Sequence, residues 1–442
     1  MNKVLWKPTP QSIERSNLIR YMKWLAEHRH LHFETYDQLW QWSIDHIDDF
    51  WQSLWTYFDI MSDGFFENVR SGNEMPGIKW FEGSKLNYAE HVFRNFQTDH
   101  TAIIHASEKR PIQKISWSSL RKDTAAFQSF LKTAGIKQGD CVVAYIPCIP
   151  EATVAFLATN SLGAIWSSCS PDFGTQSVID RFAQIEPKIL VTADSYSYGG
   201  KEFNKQEVIA SIVKAIPSIE KVVVVSSEPV EKENYFSWSQ IMENESDSLS
   251  FIRVDFNHPI WVLYSSGTTG LPKAITHSHG GILLEQLKYL TFHKDLQAGE
   301  SCFWYTTTGW MMWNHIQASL LCKGIMILYD GSPAYPDLNV LWKFAEETKM
   351  NHFGTSAGFL LANMKAGITP GKSFDLKNLR AIGSTGSTLP PEGFAYVYDQ
   401  VKSDVWLTSM SGGTDVCSGF VGGNALWPVH QGEIQCRTLG CS

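Results

Sequence analysis

The sequence has no apolar run of the roughly 18 residues that a membrane-spanning helix requires. Its first residues, MNKVLWKPTPQSIERSNL, lack the apolar core of a secretory signal. The final Gly-Cys-Ser matches neither a peroxisomal nor a prenylation signal. By elimination, the sequence predicts a cytosolic protein with no membrane span.

Metal-binding cysteine pairs and long basic runs are also missing. None of the eight cysteines belongs to a CxxC pair or to a Cys/His cluster with zinc-site spacing, so we expect buried free thiols in a reducing compartment. There are 37 basic and 45 acidic residues, a net charge of −8, and no Lys/Arg run. We therefore predict no nucleic-acid partner, and an anionic ligand would need a local site.

The residues that are present indicate a globular chain of several subdomains. The chain has 442 residues, which is too long for one simple core, and 43% of them are hydrophobic. Residues 10–60 are rich in aromatics, and Trp51, Trp55 and Phe58 recur at helical spacing. We interpret this stripe as the packed face of helices, in preference to a ligand platform.

From residue 101 the pattern changes to short apolar runs that alternate with helical segments. Runs such as 188–193 and 221–226 are typical of buried strands, and the alternation predicts parallel α/β layers. A polar stretch, 226–250, predicts a surface connection between two α/β units. We therefore divide the chain into an N-terminal helical region, 1–100, and an α/β domain, 101–442.

The strongest local signal is the segment 264–273, YSSGTTGLPK, which follows a strand-like run at 260–263. Two glycines allow a tight turn with exposed amide groups, hydroxyl groups add donors, and a lysine adds positive charge. The residues concerned are Ser265, Ser266, Gly267, Thr268, Thr269, Gly270 and Lys273. Together they suit a polyphosphate, although the GxxxxGK[ST] pattern is absent. A plain Ser/Gly-rich surface turn is the alternative, and the ordered hydroxyls and closing Pro-Lys argue against it.

The segment SSGTTGLPK resembles the phosphate loop of the adenylate-forming superfamily, which includes acyl-CoA synthetases, luciferases and peptide-synthetase adenylation domains. Segments 36–43, 80–90, 306–314, 383–387 and 409–416 are similar to further motifs of its short-chain members, and most similar to those that activate acetoacetate. The resemblance implies an α/β fold with layered subdomains and an N-terminal helical extension.

The resemblance also implies a nucleotide site with ATP and Mg²⁺. In it, the hydroxyls of 265–269 and Lys273 hold the β- and γ-phosphates, while Gly383, Ser384 and Thr385 border adenine. Thr414 would bond the α-phosphate. Asp415 would bind Mg²⁺ where many relatives have Glu, and a carboxylate is the ligand that a hard cation prefers. Taken alone, Gly-Gly-Thr-Asp is equally typical of a turn capped by Asp.

The same resemblance places the acid beside Trp310, Met311 and Met312. A core tryptophan is the alternative for Trp310 and the preferred interpretation of Trp313. Gly412 stands where acetate-activating relatives have a Trp that shortens the pocket, so we expect Gly412 to free room for acetoacetate. Propionate or butyrate would also fit by volume.

For CoA, the resemblance implies contacts from Arg181 and from Lys201 near a second such position. Each could equally be an ordinary solvated charge.

The implied reaction is attack of a carboxylate on the α-phosphorus of ATP, followed by transfer of the acyl group to CoA. An adenylating enzyme with another acceptor, such as a carrier protein, and a binding fragment without turnover are the alternatives. Family members continue past 432–435 with a ribose-binding Asp, a hinge and a small C-terminal domain that carries a catalytic Lys. The expectation is therefore that the domain 101–442 is incomplete, that the C-terminal domain is absent, and that this chain alone makes acyl-CoA inefficiently.

Overall fold

The computed structural model describes residues 3–72, 74, 77–226, 230–243, 248–265 and 270–442. The first hundred residues contain five helices and four short strands, and Trp55 stacks on Phe81 with ring centroids 4.7 Å apart. The elements are β1 (Val4–Trp6), α1 (Pro10–Glu14), α2 (Asn17–Arg29), α3 (Tyr36–Asp45), α4 (Ile47–Tyr57), β2 (Arg70–Ser71), β3 (Lys79–Trp80), β4 (Lys85–Leu86) and α5 (Tyr88–Phe93). The aromatic stripe therefore packs against the core, which confirms that interpretation.

Strands and helices alternate in the next part of the chain. They are β5 (Thr101–Ser107), β6 (Gln113–Ser116), α6 (Trp117–Thr133), β7 (Cys141–Tyr145), α7 (Pro150–Ser161), β8 (Ile165–Cys169), α8 (Thr175–Phe182), β9 (Ile189–Ala193), β10 (Ser195–Tyr198), β11 (Lys201–Asn204), α9 (Gln206–Ala215), β12 (Lys221–Val225), β13 (Tyr235–Ser237), α10 (Trp238–Glu243), β14 (Val254–Asp255), β15 (Pro259–Ser265), β16 (Lys273–Ser278) and α11 (His279–Lys288).

A π-helical turn, Tyr289–His293, leads into the last part. Its elements are β17 (Ser301–Trp304), α12 (Met311–Gln317), β18 (Ile325–Asp330), α13 (Val340–Glu347), β19 (His352–Ser356), α14 (Ala357–Lys365), α15 (Pro370–Ser373), β20 (Ala381–Thr385), α16 (Pro391–Tyr396), a second π-helical turn (Val397–Val401), β21 (Trp406–Ser409), β22 (Ser411–Gly413), β23 (Ser418–Gly422), β24 (Val429–His430) and β25 (Cys436–Arg437).

Two seven-stranded sheets organise these elements. The first has the strand order β13-β12-β9-β7-β8-β15-β16 and the second β21-β20-β19-β17-β18-β5-β6. Within each sheet all pairs are parallel except one at an edge, β15 with β16 and β5 with β6. Their apolar strands are buried because helices cover parallel sheets. The expected α/β class is confirmed.

The prediction that the polar stretch 226–250 connects two α/β units is wrong. Its described part contains β13 and α10, and β13 pairs with β12 in the same sheet that β15 joins. Both flanks of the stretch therefore belong to one sheet, and the crossing to the second sheet comes later, between β16 and β17. The division at residues 100/101 stays a prediction.

All eight cysteines are free, and five of them are buried, as expected. None of the helices within the described ranges combines the length and apolar character needed to cross a bilayer.

Candidate active site

A cavity of about 380 Å³ opens where β17, β20 and β21 end. In parallel sheets the carboxyl ends of neighbouring strands meet at one edge, which is where ligands bind in such folds. The lining residues are Trp310, Met311, Met312, Thr385, Gly386, Ser387, Thr388, Leu389, Phe394, Ser409, Met410, Ser411, Gly412, Gly413, Thr414, Ser418, Gly432 and Ile434. Three separate motifs of the sequence therefore meet around one cavity.

One wall of the cavity is the start of α12. Trp310 precedes this helix in an extended conformation and is partly buried. Met311 and Met312 are buried in the first turn. Trp313 is fully buried and lies in the core beside Trp166, with ring centroids 6.2 Å apart. The structure thus separates two neighbouring tryptophans, one at the cavity and one in the core.

The floor of the cavity is formed by the ends of β20 and β21. Thr385 reaches the cavity, and its hydroxyl donates to the carbonyl of Met410 at 3.0 Å. Gly383 and Ser384 lie buried in the strand below the cavity. Only one of these three residues, all expected at adenine, therefore lines the cavity.

A buried lysine lies beneath this floor. Lys294 donates to the Thr408 hydroxyl at 2.9 Å and lies 4.7 Å from the centre of the Trp304 ring. Burial lowers the pKa of Lys294 to about 8. The sequence offered no sign of this group, because its burial depends on three strands that are distant in the chain.

Gly412 lines the cavity, but not for the expected reason. It pairs with Gly419 across the β22–β23 hairpin, and a Cβ at Gly412 would lie 1.9 Å from the carbonyl oxygen of Ser418. The space that a side chain would take is therefore filled by the partner strand. The expectation that this glycine frees room for the acid is corrected: here it allows two backbones to approach.

Thr414 and Asp415 follow β22 in a tight turn. Thr414 lines the cavity, whereas Asp415 lines a neighbouring, largely apolar cavity of about 560 Å³ that shares Ser418 with the first. Asp415 is exposed, and its carboxylate has no hydrogen-bond partner among the residues that the structure describes. The described residues also contain no group of three or more His, Cys, Asp or Glu side chains suited to a metal ion.

The strands of the phosphate-loop hairpin are in place on either side of the loop. Ser265 ends β15 and pairs with Lys273, which begins β16. Lys273 and Gly270 are exposed. Ser266, Gly267, Thr268 and Thr269 lie outside the described residues. The hairpin thus brings an exposed cation and a hydroxyl group to one sheet edge.

The hairpin also touches the turn that carries Thr414 and Asp415. Nε2 of His277, on β16, lies 3.0 Å from the carbonyl oxygen of Asp415. Burial lowers the pKa of His277, while the carbonyls of Asp415 and Thr414 act in the opposite direction. No motif indicated His277, because its partner is 138 residues away in the chain.

Arg181 and Lys201 line neither cavity. The Arg181 guanidinium lies 4.9 Å from the centre of the Phe173 ring, and Phe173 in turn lies against Gly309. Lys201 is exposed on β11. Arg181 is therefore connected to the Trp310 wall through two contacts, and Lys201 is not.

Sequence reasoning missed much of the polar lining. Ser387, Thr388, Ser409 and Ser411 stand within or beside the motifs and could have been found there. Leu389 and Phe394, near and within α16, had no such signal.

Comparison with protein families places these features in a known group. The family model described as AMP-binding enzyme matches residues 89–433, and the model of the acetyl-coenzyme A synthetase N-terminus matches residues 36–92.

Individual relatives match along the chain as well. The acetoacetyl-coenzyme A synthetase of Rhizobium meliloti (strain 1021) is 40% identical over 441 residues, 99% of this chain and 68% of the relative. That of Gallus gallus is 38% identical over 455 residues, 99% of this chain and 68% of the relative. The solved structure of acetoacetyl-CoA synthetase from Streptomyces lividans has a TM-score of 0.95 and 41% identity, covering 99% of this chain and 69% of that one.

These matches concern the 442 residues of this chain and say nothing of any residue beyond them. They therefore do not support the expectation that a C-terminal domain is absent from the protein.

Proposed function

This chain belongs to the AMP-binding enzyme family, and from that premise we propose that it is an acid–CoA ligase that acts on acetoacetate. ATP and acetoacetate give acetoacetyl-AMP and pyrophosphate, and CoA then displaces AMP to give acetoacetyl-CoA. The observation that carries the proposal is the identity of 37–40% with several acetoacetyl-CoA synthetases over 99% of the chain.

Activation is needed because a free carboxylate would have to expel oxide. Joining it to AMP makes the leaving group a stabilised phosphate. The carboxylate oxygen attacks the α-phosphorus, and the bond to pyrophosphate breaks. Such a step requires mainly positioning and neutralisation of phosphate charge, and no side-chain nucleophile.

The nucleotide occupies, in this proposal, the edge between the phosphate-loop hairpin and the cavity. The residues 265–270 and Lys273 bind the β- and γ-phosphates, and Thr414 donates to the α-phosphate. The exposure of Lys273 and the contact between β16 and the Asp415 turn support this arrangement. Adenine lies at Thr385, above Gly383 and Ser384.

Asp415 is the proposed ligand of Mg²⁺. Its carboxylate is exposed and free of described partners, which fits an ion that takes one or two carboxylates and completes its shell with phosphates and water. When bound, the ion neutralises phosphate charge. Asp415 is well placed for this because its backbone is held by His277.

Acetoacetate binds, in the same proposal, between Trp310 and the β22–β23 hairpin. Met311 and Met312 provide the apolar part of the wall, and Gly412 sets the approach of the hairpin. Arg181 and Lys201 contact the nucleotide end of CoA, and the link from Arg181 through Phe173 to Gly309 supports the first of these.

The test is pyrophosphate exchange into ATP with acetoacetate, acetate, propionate or butyrate as the acid, followed by release of AMP on addition of CoA. We expect acetoacetate to give the fastest exchange and CoA to be required for AMP release. Faster exchange with another acid would reassign the substrate. Exchange without CoA-dependent release would point to another acceptor.

A further inference from the structure

Three groups form a hydrogen-bond chain behind the proposed metal ligand. Trp261 is fully buried on β15, and its indole Nε1 donates to Nδ1 of His277 at 3.0 Å. Nε2 of the same imidazole lies 3.0 Å from the carbonyl oxygen of Asp415. Trp261 and His277 are direct partners across the β15–β16 pair.

The partners determine the tautomer of the imidazole. An indole N–H can only donate, so Nδ1 must accept. A carbonyl oxygen can only accept, so Nε2 must carry the hydrogen and donate it to Asp415. Both ring nitrogens are therefore used, and the ring cannot rotate without losing two bonds in a buried place.

The imidazole completes the support of the turn that carries Thr414 and Asp415. The N–H of Cys417 lies 3.0 Å from the carbonyl of Gly413 and 3.2 Å from that of Thr414. Cys417 itself has a φ of 49°, which is uncommon for a residue other than glycine. Within the described residues, two donors thus hold the turn from Gly413 to Cys417. The N–H of Cys417 bonds back to Gly413 and Thr414, and Nε2 of His277 bonds to Asp415.

The register of β16 adds a second connection. Its pairing with β15 is regular from Lys273 to His277, so these two residues project from the same face of the strand. One rigid strand therefore presents a phosphate-binding cation at one end and the support of the Asp415 turn at the other.

From this geometry we infer that His277 is a positioning residue for the metal–nucleotide complex. It orients the Asp415 peptide so that the Thr414 hydroxyl and the Asp415 carboxylate face the phosphates, and it keeps them in register with Lys273. Trp261 holds the imidazole in the tautomer that can do so. The inference rests on the proposed roles of Thr414 and Asp415.

The test compares His277→Phe, His277→Gln and Trp261→Phe in the 442-residue chain. Calorimetric titration measures MgATP affinity and the Mg²⁺ concentration that supports half-maximal ATP binding, and a thermal melt reports folding. Loss of a residue that supports a metal ligand typically weakens metal affinity roughly 10- to 100-fold, and we expect this for His277→Phe. Glutamine can accept from Trp261 and donate to Asp415, so the metal affinity of His277→Gln should stay within about threefold of wild type. The metal affinity of Trp261→Phe should lie between those of His277→Gln and His277→Phe.

His258→Phe is the matched control. His258 precedes β15, is half-buried, and donates from Nε2 to the carbonyl of Gly163 at 2.8 Å, so like His277 it is a histidine with a backbone carbonyl as partner. Among the residues that the structure describes, it contacts none of the proposed ligand-binding ones, and we expect unchanged MgATP affinity.

Folded His277→Phe with wild-type Mg²⁺ dependence, or a loss in His277→Gln equal to that in His277→Phe, overturns the inference. If His277→Phe does not fold, wild-type Mg²⁺ dependence in Trp261→Phe overturns it. Asp415→Ala separates this from the proposed function: if this variant keeps its Mg²⁺ dependence, the metal assignment itself is wrong. If only Asp415→Ala loses it, the assignment stands and the positioning role does not.

Discussion

At the scale of single residues, the site depends on a few groups whose surroundings differ sharply. Trp310 faces the cavity, while Trp313 is enclosed by Phe156 and Trp166. Asp415 is exposed, whereas His277 behind it is buried between two partners. Trp310 and Asp415 can thus meet a ligand directly, whereas Trp313 and His277 can act only through the residues they contact.

Lys273 gives the prediction at this scale. Its side chain is exposed at the start of β16, so Lys273→Ala should leave the unfolding temperature unchanged. Loss of a charged partner should weaken ATP binding by roughly tenfold or more, measured by calorimetric titration. Lys23→Ala, exposed on α2, is the control for removal of a surface lysine. Equal ATP affinity in the two variants would remove Lys273 from the phosphate site.

At the scale of elements, the β22–β23 hairpin decides the shape of the cavity wall. Gly412 and Gly419 face each other across the pair, and the Ser418 carbonyl occupies the direction in which a Cβ would point. Backbone atoms cannot give way as the end of a flexible side chain can.

The hairpin therefore predicts different outcomes for two neighbouring glycines. Gly412→Ala should lower the free energy of unfolding by about 1–3 kcal/mol, since its Cβ would meet backbone at 1.9 Å. In Gly413→Ala the nearest atom lies 3.9 Å away, and stability should be nearly unchanged. Denaturant titrations of both variants provide the comparison. Equal stability would mean that the hairpin yields easily, and a larger residue at 412 could then shorten the acid pocket.

At the scale of the whole molecule, the site is built where the two large sheets meet. The Thr308 hydroxyl donates to the carbonyl of Ile146 at 2.6 Å, and Ser168 donates to the carbonyl of Thr308 at 2.7 Å. The segment that leads into Trp310 is thus bonded to the first sheet although it follows a strand of the second. The position of Trp310 at the cavity therefore depends on how the two sheets pack together.

Asp330 lies at this junction and should make the stability of the fold depend on pH. It ends β18, and its carboxyl accepts from the N–H of Cys148, after β7 in the other sheet, at 3.0 Å. Burial, with a smaller effect of Glu108 and against the bond from Cys148, raises the pKa of Asp330 to about 6. The carboxyl of Asp330 therefore binds its proton more tightly in the folded protein than in the unfolded chain, where its pKa is 3.8. The stability that this protonation contributes is fully present below pH 3.8 and is lost as the pH rises through about 6.

Asp330→Asn should therefore stabilise the fold at pH 8 by on the order of 2 kcal/mol, because the amide keeps the acceptor without the buried charge. The difference from wild type should shrink towards pH 4. Unfolding free energies across this range provide the measurement, with exposed Asp399→Asn as the control. A difference that does not vary with pH would show that Asp330 does not titrate at this junction.

The sequence by itself determined whatever depends on neighbours along the chain. Alternating apolar and helical runs were enough to predict the α/β class, and glycines, hydroxyls and a lysine within ten residues were enough to predict a phosphate loop. Trp310, Met311, Met312, Thr385, Gly412 and Thr414 came from short motifs, and all of them line one cavity. Such residues can be predicted from the sequence because those that act together are also close in the chain.

Only the tertiary structure decided which distant segments meet. The chain begins the second sheet at β5, builds the first sheet, and returns at β17, a crossing that no local pattern shows. The contact of His277 with Asp415, the burial of Lys294 and the closure of Gly412 by Ser418 all depend on how strands pair or pack. Such contacts follow from the packing of the whole core, so the residues that position the site could not be found from the motifs that compose it.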